Sequence, residues 1–225
     1  MITRLGMAPR LEGMTYEQFQ HHWRTAHADA AGKIPNLKRY VQNHAVLRDG
    51  APIFGFPGFD ACSELDFESI DAMEEGFAST EYMTNVKKDE RSFVEKSRFS
   101  SIVGDRLVLT DGPRAAGGVK LMQFHRSHPR SNAAELRKVL ESFSSTSLLS
   151  AGIVRREILL PIELNLTTLD KPASDAVDSC WFKTEQDALS FVKSGLFDRQ
   201  CWELSGITFG GSRHLATEVD VVLPK

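Results

Sequence analysis

The feature that most constrains the fold of this 225-residue chain is an order of predicted elements that occurs twice. In the first half, apolar residues alternate as in strands or recur at helical spacing, in the order β, α, β, β, α, β. The predicted strands cover 2–8, 37–47, 60–67 and 98–110, and the predicted helices cover 15–32, 69–77 and 80–93. This order is the split β-α-β arrangement of a ferredoxin-like unit.

The same order starts again after DGPRAAGG, residues 111–118, which has the composition of a linker. The predicted strands cover 119–125, 152–160, 177–182 and 214–223, and the predicted helices cover 132–143 and 185–192. The clearest match is between CSELDFESIDAMEEGF and DSCWFKTEQDALSFVKSGLF, each a strand followed by a Phe-bearing helix with an acidic start. We therefore predict a first repeat over 1–110 and a degenerate second repeat over 119–225.

A four-stranded sheet with two helices on one face leaves its other face bare. Two such sheets laid face to face bury those surfaces around a shared core. A chain with one repeat must dimerise to do this, whereas a fused pair can do it alone. The predicted fold is therefore α+β, with two ferredoxin-like βαββαβ repeats in one chain packed sheet to sheet as a dimeric α/β barrel.

Composition excludes several classes of protein. Hydrophobic residues make up 41% and charged residues 25%, as in ordinary soluble domains. No apolar run is long enough for a membrane span or a secretory signal. A net charge of −3 without a basic block argues against a nucleic-acid partner. Cys62, Cys180 and Cys201 lack CxxC spacing, so we expect no structural zinc and a reducing compartment, by default the cytoplasm.

The first predicted helix and the strand after it carry most of the candidate chemistry. Thr15 and Gln18 form a capping box at the helix start. Four apolar residues are expected on one buried stripe, namely Phe19, Trp23, Ala26 and Ala30. At about 100° per residue, His27 lies roughly 40° from Trp23, on the shoulder of that stripe.

The following strand places Tyr40, Gln42 and His44 on one face. Three hydrogen-bonding side chains in front of an apolar face suit a barrel wall that lines a polar cavity. The alternative is a half-exposed strand whose polar face meets water.

The loop 49–60, DGAPIFGFPGFD, is rich in glycine and proline but carries four large apolar side chains, Ile53, Phe54, Phe56 and Phe59. Exposing all four would be costly, so the loop must fold over something. Either it caps the core or it forms a lid over a pocket that includes Phe54 and Phe56. In the third strand, Cys62, Glu64 and Asp66 share one face.

Three motifs, HHWRTAH, IPNLKRYVQNH and FDACSELDFES, resemble the EthD-like family of dimeric α/β-barrel proteins. The resemblance is strong over 1–110 and only architectural beyond. It implies a ferredoxin-like fold with a small-molecule pocket in the space between the two sheets. The family includes cofactor-independent isomerases acting on lactones, proteins encoded beside ether-degradation oxygenases, and polyketide-tailoring enzymes.

The resemblance also implies roles for single residues. Trp23 and His27 match the family's Trp and His near the helix end, and that His is a proposed proton-transfer residue in methylmuconolactone isomerases. Tyr40 matches an aromatic hydroxyl, His44 a recurrent His and Glu64 an acidic position. Asp66 departs from the pattern, because many relatives have Trp there. The second half has no counterpart to this set.

A catalytic centre of His27, Tyr40 and Glu64 follows as a hypothesis. The imidazole can exchange protons near neutral pH, Tyr40 can donate to a carbonyl that gains negative charge, and Glu64 can orient the imidazole. The alternative is that His27 bonds a loop carbonyl and stabilises the helix end. Seven residues are expected to contact the substrate, namely Trp23, Gln42, His44, Cys62, Asp66, Phe54 and Phe56.

Two functions remain open from the sequence. One is a cofactor-independent isomerase or lyase, with a small oxygenase as a variant, acting on a lactone or aromatic polyketide. The other is a non-catalytic binder that serves a degradation pathway. Neither metal nor cofactor is expected, since GxGxxG, GxxxxGK[ST] and HExxH are absent. The tandem chain is a possible homodimer.

Overall fold

The computed structural model describes residues 1–114, 118–143, 145–162 and 174–224. The first half contains strands β1 (Ile2–Ala8), β2 (Leu37–Ala45), β3 (Leu47–Arg48), β4 (Ala51–Pro52), β5 (Ala61–Phe67) and β6 (Ser100–Thr110). Its helices are α1 (Tyr16–His22), α2 (Ala28–Ala31), α3 (Ile70–Ala78) and α4 (Lys87–Glu90), with a 3-10 turn at Lys96–Arg98. A first π turn, Trp23–His27, joins α1 to α2, and a second π turn, Tyr82–Val86, precedes α4.

The second half repeats this order. Its strands are β7 (Val119–Ser127), β8 (Ile153–Pro161), β9 (Ala176–Phe182) and β10 (Thr208–Val221). Its helices are α5 (Ala133–Ser142), α6 (Ser145–Ser150), α7 (Glu185–Val192) and α8 (Gly195–Ser205). Of the linker predicted at 111–118, residues 115–117 lie outside the described residues. None of the described helices is long and apolar enough to cross a membrane.

The long strands close into one antiparallel barrel in the order β1-β5-β2-β10-β7-β9-β8-β6. Within each half, the order is that of a ferredoxin-like sheet, β6-β1-β5-β2 and β8-β9-β7-β10. The halves meet edge to edge, because β2 pairs with β10 and β6 pairs with β8. The predicted fold class is therefore confirmed. Edge pairing is what joins the two four-stranded sheets into a barrel, so the eight barrel strands of the described residues leave no free edge.

Helix starts follow the expected capping chemistry. The predicted capping box of Thr15 and Gln18 is present at the start of α1. In the second half, Asn132 and Glu135 form the same device at the start of α5. The sequence patterns missed α6 and α8, of which α8 begins after the cap residue Ser194, and also the short β3–β4 hairpin at the start of the aromatic loop.

The aromatic loop packs mainly on the second half, and its Phe56 also lines an open surface cavity of the first half beside Arg10 and Arg98. Ile53 and Phe54 pack against the apolar cluster beneath the helices of the second half. Phe59 lies inside the barrel, and Phe56 is 47% exposed above Arg98. Of the two predicted roles, the contacts of Ile53, Phe54 and Phe59 fit a loop that caps the core.

The inner faces of both sheets form the barrel interior, which combines an apolar end with an ionic end. The apolar end contains Leu5, Met7, Phe59, Cys62, Ile102, Met122, Phe124, Leu159 and Val177. At the ionic end, Lys120 of β7 binds Glu64 of the first half and lies 3.2 Å from Glu218 of β10. Arg106 of β6 reaches Glu64 at 2.8 Å and Glu157 of β8 at 3.2 Å. These ion pairs connect strands of the two halves.

Lys120→Met tests how much the ionic end stabilises the fold. Lys120 is 1% exposed, so its removal leaves buried carboxylates without their cation, at a cost of about 3–5 kcal/mol in the free energy of unfolding. Urea denaturation measures this loss. Lys33→Met, at an exposed pair with Asp29, is the matched control and should leave the unfolding midpoint unchanged. Equal unfolding midpoints for Lys120→Met and Lys33→Met would contradict a stabilising role of the ionic end.

Candidate functional site

The structure separates the predicted site residues onto two faces of the first-half sheet. Trp23, His27, Tyr40, Gln42 and His44 lie together on the outer face, beneath the helices. A second group, Cys62, Glu64 and Asp66, points into the barrel interior. Because alternate residues of a strand face opposite sides, paired strands β2 and β5 cannot direct Tyr40 and Glu64 to one place. The expected grouping of His27, Tyr40 and Glu64 is therefore not observed.

The cavity that the described residues enclose at the ionic end of the barrel interior is too small for a substrate. The cavity beside Glu64 measures about 10 Å³, roughly the space that one water needs. Burial alone would raise the pKa of Glu64, but Lys120 and Arg106 outweigh it and hold that pKa well below its usual range. An ionised carboxylate bound by two cations and by Asn43 at 3.0 Å has a structural role. The pocket expected between the two sheets is thus filled by ion pairs.

The other residues expected at the interior pocket also have structural partners. Asp66 accepts hydrogen bonds from Thr3 at 2.7 Å and from Arg106 at 3.2 Å. Cys62 is fully buried among apolar side chains, and burial raises the pKa of its thiol. With Phe54 packed on the second half and Phe56 exposed above Arg98, neither ring lies beside His27.

A separate cavity of about 40 Å³ lies between the first-half sheet and its helices. We call it the helix-side cavity. Its polar lining consists of Arg4, His27, Tyr40, Ser63, Tyr82 and Glu90, and its aromatic lining includes Trp23, Phe77, Phe93 and Phe99. Apolar walls with a few convergent polar groups are typical of small-molecule sites.

Each of the two helical segments that cover this cavity contains a π turn. In the first helix, the residues that face the sheet are Phe19, Trp23, His27 and Ala31, spaced by four. An i→i+5 turn adds a residue to the helix, so the buried stripe moves off the 3.6-residue period. Ala26, predicted as buried, is exposed for this reason, and His27 moves from the shoulder onto the buried face.

The carboxylate partner of His27 is Asp89 of α4. The Nδ1 atom of His27 lies 2.8 Å from Asp89 Oδ2, and His22 Nε2 lies 2.8 Å from Asp89 Oδ1. Burial acts to raise the pKa of Asp89, but the bonds from His27 and His22 outweigh it and lower that pKa. An ionised carboxylate only accepts, so Nδ1 of His27 carries the proton. In the neutral ring, Nε2 is then free to act as a base, as in other His–carboxylate pairs.

Sequence reasoning missed Asp89. It stands in the charged run KKDE within the helix predicted at 80–93, where an acidic residue is ordinarily solvated. The residue becomes a partner of His27 because α4 packs beside the first helix. Nothing in the local pattern distinguishes it from its neighbour Glu90.

Tyr40 lies at the centre of a buried hydrogen-bond network. Its hydroxyl oxygen accepts from Trp23 Nε1 at 3.2 Å and from Gln42 Nε2 at 3.0 Å. Burial raises the pKa of Tyr40 above its usual range, so the phenol is neutral. With both oxygen lone pairs engaged, the hydroxyl hydrogen is available to donate to a group in the helix-side cavity.

His44 supports this network from below. Its ring stacks 4.5 Å from Trp23, and its Nε2 lies 2.9 Å from Gln42 Oε1. Burial lowers the pKa of His44 to about 3, aided by the charges of Arg24 and His214. The neutral ring donates to Gln42, which in turn directs its amide nitrogen at Tyr40. His44 and Gln42 thus position Tyr40, while neither of them lines the cavity.

In the second half, a salt bridge takes the place of this network. Arg156 occupies the sheet position equivalent to Tyr40 and pairs with Asp178 at 2.8 Å, both side chains being almost fully buried. Its guanidinium also donates to the carbonyl oxygen of Leu140 in α5. The described part of the second half therefore fixes its helices over the sheet with ions where the first half has an aromatic network.

Asp89→Asn should reduce stability in a pH-dependent way. Because folding lowers the pKa of Asp89, its contribution is complete above its unfolded pKa and disappears as the pH falls. We expect a loss of about 1 kcal/mol at pH 6, limited by solvent screening, that shrinks as the pH falls below the unfolded pKa of about 3.9 and disappears below the lowered pKa of the folded state. Urea denaturation across this range measures the difference from wild type. A difference from wild type that stays constant with pH would contradict it.

Comparisons with known proteins support the same architecture. Residues 11–97 match the EthD domain model. A "putative monooxygenase" from Lactobacillus acidophilus NCFM aligns with a TM-score of 0.59 and 11% identity, over 99% of this chain and 96% of that one. A second, from Fusobacterium nucleatum subsp. nucleatum, aligns with a TM-score of 0.62 and 10% identity, over 98% and 92%.

An anthrone oxidase-like protein aligns with a TM-score of 0.65 and 8% identity, over 98% of this chain and 93% of that one. At these identities the likeness is one of fold. No curated protein sequence matches this chain. Residues 11–97 of this chain therefore match the EthD domain model and lie in the first half of a tandem ferredoxin-like α/β barrel.

Proposed function

We propose that this protein is a cofactor-independent enzyme that moves protons on a small carbonyl compound, such as a lactone or aromatic polyketide, in the helix-side cavity. The observation that carries the proposal is the joint presence there of a carboxylate-backed imidazole, His27 with Asp89, and a neutral phenol, Tyr40. One group can take a proton from carbon while the other stabilises the charge that results.

Three side chains take part in the proposed reaction. Nε2 of His27 accepts a proton from the carbon beside the carbonyl, and the electron pair of that C–H bond moves to the carbonyl oxygen as an enolate. Tyr40 donates its free hydroxyl hydrogen to this oxygen. Asp89 stabilises the imidazolium through Nδ1. Returning the proton to another carbon completes an isomerisation, whereas loss of a leaving group from the enolate completes an elimination.

The cavity walls favour this chemistry. Trp23, Phe93 and Val86 are almost fully buried and exclude water from the imidazole. In such surroundings, a hydrogen bond to a developing oxyanion is stronger than in water. A volume of about 40 Å³ holds a few atoms, so a ring-sized substrate requires the cavity to widen.

Variants of the two acid–base residues test the proposal. His27→Asn and Tyr40→Phe should each lower turnover by about 100-fold or more while probe affinity changes little. The assay is deuterium incorporation from D₂O into α-angelica lactone or anthrone, followed by NMR. His21→Asn, an exposed histidine in the same helix, is the matched control and should retain full exchange activity.

The same experiment separates the enzyme from a carrier. Wild-type protein that binds both probes without accelerating exchange would replace the proposal with a non-catalytic binder. Equal exchange by wild type, His27→Asn and Tyr40→Phe would place the chemistry elsewhere.

Oxygenation is a second candidate, because three proteins of this fold are described as "putative monooxygenase" or anthrone oxidase-like. The same deprotonation by His27 would supply a carbanion to dissolved O₂. Oxygen consumption during anthrone turnover distinguishes this route. Uptake that depends on His27 favours oxygenation, and exchange without uptake favours proton transfer alone.

A further inference from the structure

We infer that the helix-side cavity takes a ligand bearing a carboxylate or a similar oxyanion, and that the guanidinium of Arg4 binds this group. The inference rests on the proposed function for the location of the reacting atoms. It specifies in addition that the substrate is negatively charged and that Arg4 selects for this charge.

Arg4 is a cation that lines the cavity without a bonded partner. Among the residues that the structure describes, no carboxylate lies within ion-pair distance of its guanidinium and no acceptor takes a hydrogen bond from it. The other charged groups of the cavity are paired, since Glu90 binds Lys96 at 2.6 Å and His27 binds Asp89. On the opposite face of the sheet, Arg106 has three carboxylate partners.

Aromatic rings hold Arg4 in place. Its guanidinium carbon lies 4.6 Å from the centre of the Phe77 ring and 5.4 Å from that of Phe99. Cation–π contacts of this kind engage the flat faces of a guanidinium. They leave the N–H groups in the plane free, and these are the donors that bind a carboxylate through two parallel hydrogen bonds.

The electrostatic surroundings also leave the charge incompletely compensated. Burial lowers the pKa of Arg4, and the nearby Tyr82 and Glu90 only partly offset this effect. Arg4 is partly buried and its guanidinium stays protonated, so the desolvation cost that this partial burial imposes persists until an anion arrives. An oxyanion in the cavity would supply the missing partner.

Space for that anion is kept open beside the guanidinium. Gly6 is the next outward-facing residue of β1, and a Cβ built on it would lie 2.7 Å from Ser63 Oγ and 3.5 Å from Arg4 Nη1. A side chain at position 6 would therefore fill this part of the cavity. With the anion at Arg4, the rest of a small ligand extends toward His27 and Tyr40, which line the same cavity.

An isosteric pair of probes tests the inference. Propionate and propionamide have nearly the same shape, but only propionate is charged. Binding is followed by NMR at the indole N–H of Trp23, which lines the cavity. A charge-assisted bidentate contact predicts that wild type binds propionate at least about tenfold more tightly than propionamide.

Substitutions at position 4 test whether Arg4 causes the preference for propionate. Arg4→Gln should abolish it, Arg4→Lys should retain part of it, and the exposed control Arg199→Gln should leave it intact. A thermal melt checks that each variant is folded. Equal binding of the two probes by wild type, no binding of propionate, or an unchanged preference in folded Arg4→Gln would overturn the inference.

His27→Asn separates this inference from the proposed function. This variant should keep the preference for propionate although proton exchange is lost. If wild type prefers propionate but catalyses no exchange, the anion site stands and the enzyme proposal fails. If wild type catalyses exchange but shows no preference for propionate, the enzyme proposal stands and the anion site fails.

Discussion

Closure of the barrel by edge pairing is the constraint on which the rest of the structure depends. Two ferredoxin-like sheets each have two free edges, and the pairs β2–β10 and β6–β8 satisfy all of them within one chain. Lys120 then links Glu64 of the first half to Glu218 of the second. Cations and carboxylates that lie this deep must remain paired, so the ion network fixes how the two sheets meet.

Closure of the barrel also gives the two faces of the first-half sheet different surroundings. On the inner face, ion pairs and apolar packing of the described residues leave a cavity of only about 10 Å³. The outer face and the helices above it enclose the helix-side cavity with His27, Tyr40 and Arg4. The first-half sheet itself separates these two environments. Consequently, Glu64 contributes to the stability of the barrel, and the carboxylate that serves His27 comes from a helix.

Two π turns give the helix-side cavity its character. The turn at Trp23–His27 rotates His27 onto the buried face, and the turn at Tyr82–Val86 leads into the helix that supplies Asp89. Local widening of a helix is frequent at functional sites because it changes which side chains face inward. In this molecule it brings an imidazole and a carboxylate into contact across two helices.

The sequence by itself determined the repeated order of strands and helices and the capping box of Thr15 and Gln18, whereas catalytic roles for His27 and Tyr40 stay a prediction. Alternation and helical spacing are local patterns, so the chain reveals them without coordinates. Only the tertiary structure decided which face of each strand is enclosed and which carboxylate meets His27. Asp89 is separated from His27 by 62 positions, and Lys120 from Glu64 by 56. Such pairings depend on how helices and sheets pack, and no local pattern encodes that packing.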